Sequence, residues 1–181
     1  MTFDQAFKAG EISPLPPPQM TADRRISAGA FAEGLFSVLD EALSSSVLAS
    51  WRWLLGQDAI ALVASAFGDL FFWSEKHGSI YFLEVQRGKS TFASKDVGFF
   101  LDHFLTKDEI LDRVLQRDLF ECLTSRLGQP TYRECYIAVP WLRNGGSGDV
   151  GTYTKGDLTV YTNLVAQSVR QDMTLNRPRA H

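Results

Sequence analysis

Asp69-Leu70-Phe71-Phe72-Trp73, then Ser74-Glu75-Lys76-His77-Gly78, then Ser79-Ile80-Tyr81-Phe82-Leu83-Glu84-Val85: this stretch decides the fold class. Two short runs of aromatic and β-branched residues flank a polar turn that ends in glycine, the pattern of a β-hairpin. The second run is apolar at nearly every position, so both faces of that strand need a cover. Gln86-Arg87-Gly88-Lys89 supplies another turn and leads into a strand near Ser90 to Ala93. On the other side, Ala59 to Ala64 reads as a further buried strand. Gly-containing turns this short predict an antiparallel meander.

Outward from this centre the period changes. Ile26 to Leu43 places Phe31, Leu35, Leu39 and Leu43 four apart and predicts a helix that ends at Ser44-Ser45-Ser46. Val47 to Leu55 predicts a short helix or turn docking Trp51 and Trp53. Lys95 to Leu105 predicts a helix carrying Phe99, Phe100 and Phe104. Thr106 and Glu109 have the spacing of a capping box. The stripes Ile110–Leu115 and Leu119–Leu127 are out of phase across Gln116-Arg117-Asp118, which predicts a break there, and Gly128 with Pro130 ends the second helix. Glu134 to Val139 reads as a strand ended by Pro140, Asn144 to Gly151 as a flexible loop, and Leu158 to Gln171 as a last amphipathic helix. The fold class is therefore α+β: an antiparallel β-meander sheet packed with amphipathic helices in a single domain, residues 24–173. Residues 1–23, with Pro14 and Pro16-Pro17-Pro18, read as a Pro-rich surface arm, and residues 174–181 as a disordered tail.

The 181 residues include 13 Phe, 4 Trp and 5 Tyr, enough for a real core. A formal charge of −3 does not favour direct nucleic-acid binding, which rests on Lys and Arg against phosphate. Cys122 and Cys135 have neither metal-site spacing nor the density of a secreted disulfide scaffold. No signal-peptide pattern opens the chain, and its longest apolar stretch, Ala59 to Trp73, is interrupted by Ser65, Gly68 and Asp69. A cytoplasmic protein with no membrane partner is expected.

Catalytic signatures are weak. His77 lies in a polar turn, His103 on an apolar helix and His181 at the last position, none spaced to pair with a cysteine. No nucleophile elbow, P-loop or metal-binding motif occurs. Asp108, Glu109 and Asp112 cluster at a helix start, where the helix dipole favours them. Neither a cofactor nor a metal is expected.

Several pieces in order carry a resemblance. They are Trp51-Arg52-Trp53-Leu54-Leu55-Gly56, Ala66-Phe67-Gly68-Asp69-Leu70-Phe71-Phe72-Trp73, Ile80 to Val85 with Gly88, Glu134-Cys135-Tyr136 leading to Pro140 and Gly145-Gly146, and Asp157-Leu158 with Tyr161. Over residues 51–171 the chain resembles the C-terminal domain family of type VI secretion DNase immunity proteins, a GAD-related family formerly classed as a domain of unknown function. Asn144, after Arg143, stands where that family has a leucine-type residue. The resemblance implies a non-catalytic protein that neutralises a cognate antibacterial toxin by binding it. The expected contact residues are those of the turn and loop flanking the sheet: Glu75, His77, Trp141, Arg143, Asn144 and Asp149. Asp69 is expected to hydrogen-bond nearby backbone. The competing class is an enzyme or small-ligand sensor with a pocket built from Glu84, His103 and Tyr136; a general interaction module without a toxin partner is the third.

Overall fold

The computed structural model describes residues 2–22 and 26–175. Seven strands form one antiparallel sheet in which every neighbour in space is the neighbour in sequence: β1 (Ala9–Ile12), β2 (Gly29–Phe31), β3 (Phe36–Val38), β4 (Ile60–Ser65), β5 (Leu70–Ser74), β6 (Ser79–Glu84) and β7 (Lys89–Ser94). The β5–β6 and β6–β7 hairpins close alike, each with one tight helical turn, Glu75–His77 or Val85–Arg87, and then a left-handed glycine, Gly78 or Gly88. Gly88 meets a second demand, since a Cβ there would lie 2.5 Å from Val169 Cγ1.

Both faces of the central strands are covered, as the continuous apolar runs required. Phe71, Ile80 and Phe82 face one core, while Leu70, Phe72, Tyr81 and Leu83 face the other. A bulge shifts the β4–β5 register between Ala61 and Val63, so Leu62 and Val63 both enter the Phe71 core.

The N-terminal half departs most from expectation. Residues 2–12 are not an arm. A short helix α1 (Phe3–Ala6) buries Phe3, only 1% exposed, against Phe31 and Phe36, with ring centroids 5.0 and 6.0 Å away. Strand β1 then pairs with β2, while Pro14 to Pro18 stay non-helical and α2 (Gln19–Ala22) follows.

The helix expected over Ile26 to Leu43 is instead the β2–β3 hairpin. Ala32, Glu33 and Gly34 all have positive φ and turn the chain over. A Cβ on Gly29 would lie 2.3 Å from the Glu11 carbonyl oxygen, so β1 approaches closely only because that residue is glycine. Helix α3 (Glu41–Leu48) begins later, where the Asp40 carboxylate accepts a 2.7 Å bond from the Leu43 N–H. Ser44 to Ser46 therefore lie inside a helix rather than ending one, and the Ser46 hydroxyl donates to the Ala42 carbonyl at 2.8 Å. Trp51 is buried ahead of α4 (Arg52–Leu55).

On the Phe71 side lie α5 (Val97–Phe99), which widens through Phe100–Phe104, a second wide turn at Ile110–Val114, and α6 (Arg117–Leu127). The break at Gln116 is a left-handed residue, φ 56°. The capping box does not form. The Thr106 hydroxyl donates to the Asp102 carbonyl at 2.8 Å, satisfying an acceptor in the last turn of the preceding helix.

The final hairpin pairs β8 (Glu134–Ala138) with β9 (Tyr153–Asp157) and joins the main sheet through the Tyr136 N–H to the Ala66 carbonyl, 2.7 Å. Helix α7 (Leu158–Leu175) covers the Phe72 side together with α3. The expected tail beyond Leu175 lies outside the described residues. Among the described residues, no helix is long and apolar enough to cross a membrane.

Candidate functional site

The six nominated contact residues fall into two groups that do not meet. Glu75 and His77 occupy the β5–β6 turn; the Glu75 carboxylate accepts from Trp73 Nε1 at 2.8 Å and the His77 ring stands edge-on to Tyr81. Trp141, Arg143, Asn144 and Asp149 belong to the loop between β8 and β9, which rests on the Val85–Gly88 turn at the opposite end of β6. At roughly 3.4 Å per residue the six residues of β6 separate these ends by about 17 Å.

Within the loop, two of the four residues have structural work. Trp141 is half-buried, edge-on to Tyr161 at 6.0 Å. The Arg143 side chain, 12% exposed, pairs with Asp172 and donates from Nη1 to the Gln86 carbonyl at 3.1 Å, while its N–H donates to Gln86 Oε1 at 3.2 Å. Asn144 and Asp149 stay exposed.

Beside this loop opens a cavity of about 290 Å³. Glu84 and Tyr136, two of the three residues expected for a pocket, line it. His103 does not; it is exposed and lies against Phe99 at 5.1 Å. At the centre sits Asp69, placed by the turn at Gly68 (φ 82°), where a Cβ would come within 2.7 Å of the Tyr161 ring. Asp69 Oδ1 accepts a 2.8 Å bond from the Val85 N–H, clamping the β4–β5 turn to the β6–β7 turn. A backbone bond was expected of Asp69 at its own turn; the donor is instead Val85 in a distant turn, which explains the Gly68-Asp69 pair: close approach to α7, then a clamp.

Burial raises the Asp69 carboxyl from its ordinary 3.8 to about 7. The Val85 N–H opposes that rise, neighbouring Glu84 adds to it, and Arg87 lowers it. Glu84 has its own cation, Arg87 Nη1 at 2.9 Å. Among the described residues, no ion pair involves Asp69.

The walls are aromatic. Phe67 lies 6.0 Å from Tyr136 and 6.2 Å from Tyr153, and Tyr161 closes the side, its hydroxyl accepting from Gln86 Nε2 at 2.5 Å. The Tyr136 hydroxyl donates to the Gly128 carbonyl at 2.9 Å. Burial pushes the phenols of Tyr136, Tyr153 and Tyr161 above their ordinary range, so they remain neutral donors and acceptors. A second depression of about 330 Å³ shares Asp69, Glu84 and Gln116 with the first and runs to Phe92, Phe104 and Arg113. The two make one groove.

Sequence reasoning missed Asp69 as a groove residue, although a carboxylate set in an apolar run was a signal. Tyr153, Gln86 and Gln116 left no such mark. Cys135 is buried, and burial pushes its thiol up and away from reactivity. Among the described residues, no group of three or more His, Cys, Asp or Glu is placed to hold a metal ion.

Fold and site together define a class: an α+β domain whose seven-stranded antiparallel meander lies between two helical layers and carries, at one end, an aromatic-walled groove holding Asp69 and Glu84 with Arg87 and Arg113 on its walls. No protein-family model matches the chain, and no curated protein does. Among solved structures it is similar to Atu4351 from Agrobacterium tumefaciens, known from a crystal structure. That chain is 18% identical, with a TM-score of 0.62 over 88% of this chain and 86% of the other. At that identity the likeness shows a shared fold and nothing further.

Proposed function

We propose that this chain is a non-catalytic protein-binding domain that neutralises a cognate antibacterial toxin, a DNase effector of type VI secretion, in the cytoplasm of the cell that makes both. The observation that carries this reading is the groove. Asp69, which has no ion pair among the described residues, is recessed there among aromatic and polar side chains, beside a loop that presents Asn144 and Asp149 to solvent. Acidic groups set in a partly apolar surface complement the basic substrate-binding face of a nuclease, and seating there blocks access of nucleic acid. The formal charge of −3 favours encounter with such a face. The family resemblance over residues 51–171 supports the same reading.

Co-expression with the product of the neighbouring reading frame tests it. Protection from killing together with co-purification is expected; a lethal neighbour that is neither suppressed nor captured would contradict the proposal. A second reading, a small-ligand sensor or enzyme, draws on Glu84 and Tyr136 sharing one cavity. It requires a metabolite that raises the melting temperature and loses that effect in Tyr136→Phe.

A further inference from the structure

We propose that the groove receives an arginine side chain of the partner protein, whose guanidinium pairs with Asp69 between the aromatic walls. This inference rests on the protein-binding reading above and names the group on the partner that the site selects.

Three observations lead to it. First, charge is unbalanced at one atom pair. Glu84 is matched by Arg87 at 2.9 Å, while Asp69, which lines both lobes, takes the Val85 N–H at 2.8 Å and has no ion pair among the described residues; Arg87, on the wall of the first lobe, acts on it only through space. A recessed carboxylate gains most from a cation that arrives with its own hydrogen-bond donors. Burial holds the unbound Asp69 at about 7, and an adjacent cation reverses that rise.

Second, the walls select the shape of the cation. Phe67, Tyr136 and Tyr153 pack as one aromatic cluster, with Phe67 at 6.0 and 6.2 Å from the two tyrosines. Aromatic faces favour a planar, weakly hydrated guanidinium over a strongly hydrated ammonium.

Third, size and rim point to a side chain carried on a protein surface. The 290 Å³ cavity is at the small end of ligand sites, and the second lobe adjoins it at Asp69, Glu84 and Gln116. Leu142 on one lip is 45% exposed and Phe92 on the other 53% exposed, an apolar rim that a protein face covers and a small cation leaves wet.

The test uses the full chain and two probes. In an amide NMR titration with Nα-acetyl-arginine N-methylamide, shifts are expected at Val85 and Gln86, with a dissociation constant on the order of millimolar. The neutral citrulline counterpart should bind at least about tenfold more weakly, since it keeps the shape and loses the charge. Asp69→Asn should abolish the response and Glu41→Gln, an exposed residue of α3 that lines neither lobe, should keep it. Equal binding of citrulline, or an unchanged Asp69→Asn response, overturns the inference; if Asp69→Asn fails to fold, the citrulline comparison on the wild-type chain decides alone. Micromolar binding of free L-arginine also overturns it, since the groove would then be a metabolite site.

The neighbouring gene product is the second probe. If it binds the wild-type chain, Asp69→Asn should weaken that binding by about a hundredfold and Glu41→Gln by less than about threefold. Binding that survives Asp69→Asn leaves the immunity reading standing and sinks the arginine contact. Failure of the wild-type chain to bind removes the immunity reading, and the titration still judges the groove.

Discussion

Asp69→Asn should make the chain more stable, and increasingly so as pH rises. Asparagine keeps an oxygen able to accept the Val85 N–H, so the clamp between the two turns survives while the charge is removed. In the wild-type chain the carboxyl is raised to about 7 in the fold, chiefly by burial, against 3.8 ordinarily. Between those values the folded chain holds a proton that the unfolded chain has already released. Stability therefore falls as pH rises through this window and levels off above 7. At 1.36 kcal/mol per pH unit, Asp69 costs the folded chain about 4 kcal/mol at pH 8, of which roughly 3 kcal/mol accrues between pH 5 and pH 8. These are upper values, because water at the groove mouth screens the charge. Urea denaturation at pH 5, 6, 7 and 8 checks the expectation: the variant's advantage should grow across the series, with most of the change below pH 7. An advantage of the same size at every pH would refute the reasoning, because it would show that ionisation of Asp69 is not what the variant relieves.

Other perturbations probe the rest of the structure. Gly68→Ala forces a side chain onto a φ of 82° and a Cβ within 2.7 Å of the Tyr161 ring, so a loss of about 2–3 kcal/mol is expected in urea midpoints. Phe3→Ala should cost about 3–5 kcal/mol because the ring is buried among Phe7, Phe31 and Phe36; a loss near zero would return the N-terminus to a loose arm. Asp40→Ala removes the α3 cap and the partner of the Ser13 hydroxyl, for a loss of about 1–2 kcal/mol near neutral pH. Burial alone would raise the Asp40 carboxyl, but the Leu43 N–H and Ser13 hydroxyl outweigh it and hold the group below 3.8. The stabilisation is thus present above 3.8 and lost as pH falls below it, so the gap to Asp40→Ala should narrow in acid melts. Arg143→Ala should speed amide exchange at Arg143 and across Asn144 to Gly146 by freeing the loop from Gln86 and Asp172, with a stability loss of about 1 kcal/mol.

What the sequence disclosed follows from where burial leaves a pattern. Leu70 to Ser74 and Ser79 to Glu84 are apolar on both faces with left-handed glycines after the turns, so the meander was legible, as was the break at Gln116. Strand β1 has all four residues exposed and carries no alternation to read. Strands β2 and β3 are three residues each and fully buried, and the four-residue spacing of Phe31, Leu35, Leu39 and Leu43 draws on a strand, the turn, the residue after β3 and α3 in succession. The site divided in the same way. Asp69 was visible as a polar interruption in an apolar run, and a bond to backbone at its own turn was expected where the structure has one to the distant Val85. The groove itself draws on segments from Phe67 to Tyr161, and only the folded topology brings Gln86, Gln116 and Tyr153 to one carboxylate. Glu75 and His77 looked equivalent to the Trp141–Asp149 loop because both are polar connections; strand direction alone sends them to opposite ends of the sheet.

Hydrogen-exchange footprinting of the chain, free and mixed with its neighbouring gene product, probes partner capture at the groove most directly. Protection should concentrate in residues 84–88, 113–116 and 142–149, leaving 75–78 unchanged. Protection confined to 75–78, or none anywhere, would contradict it.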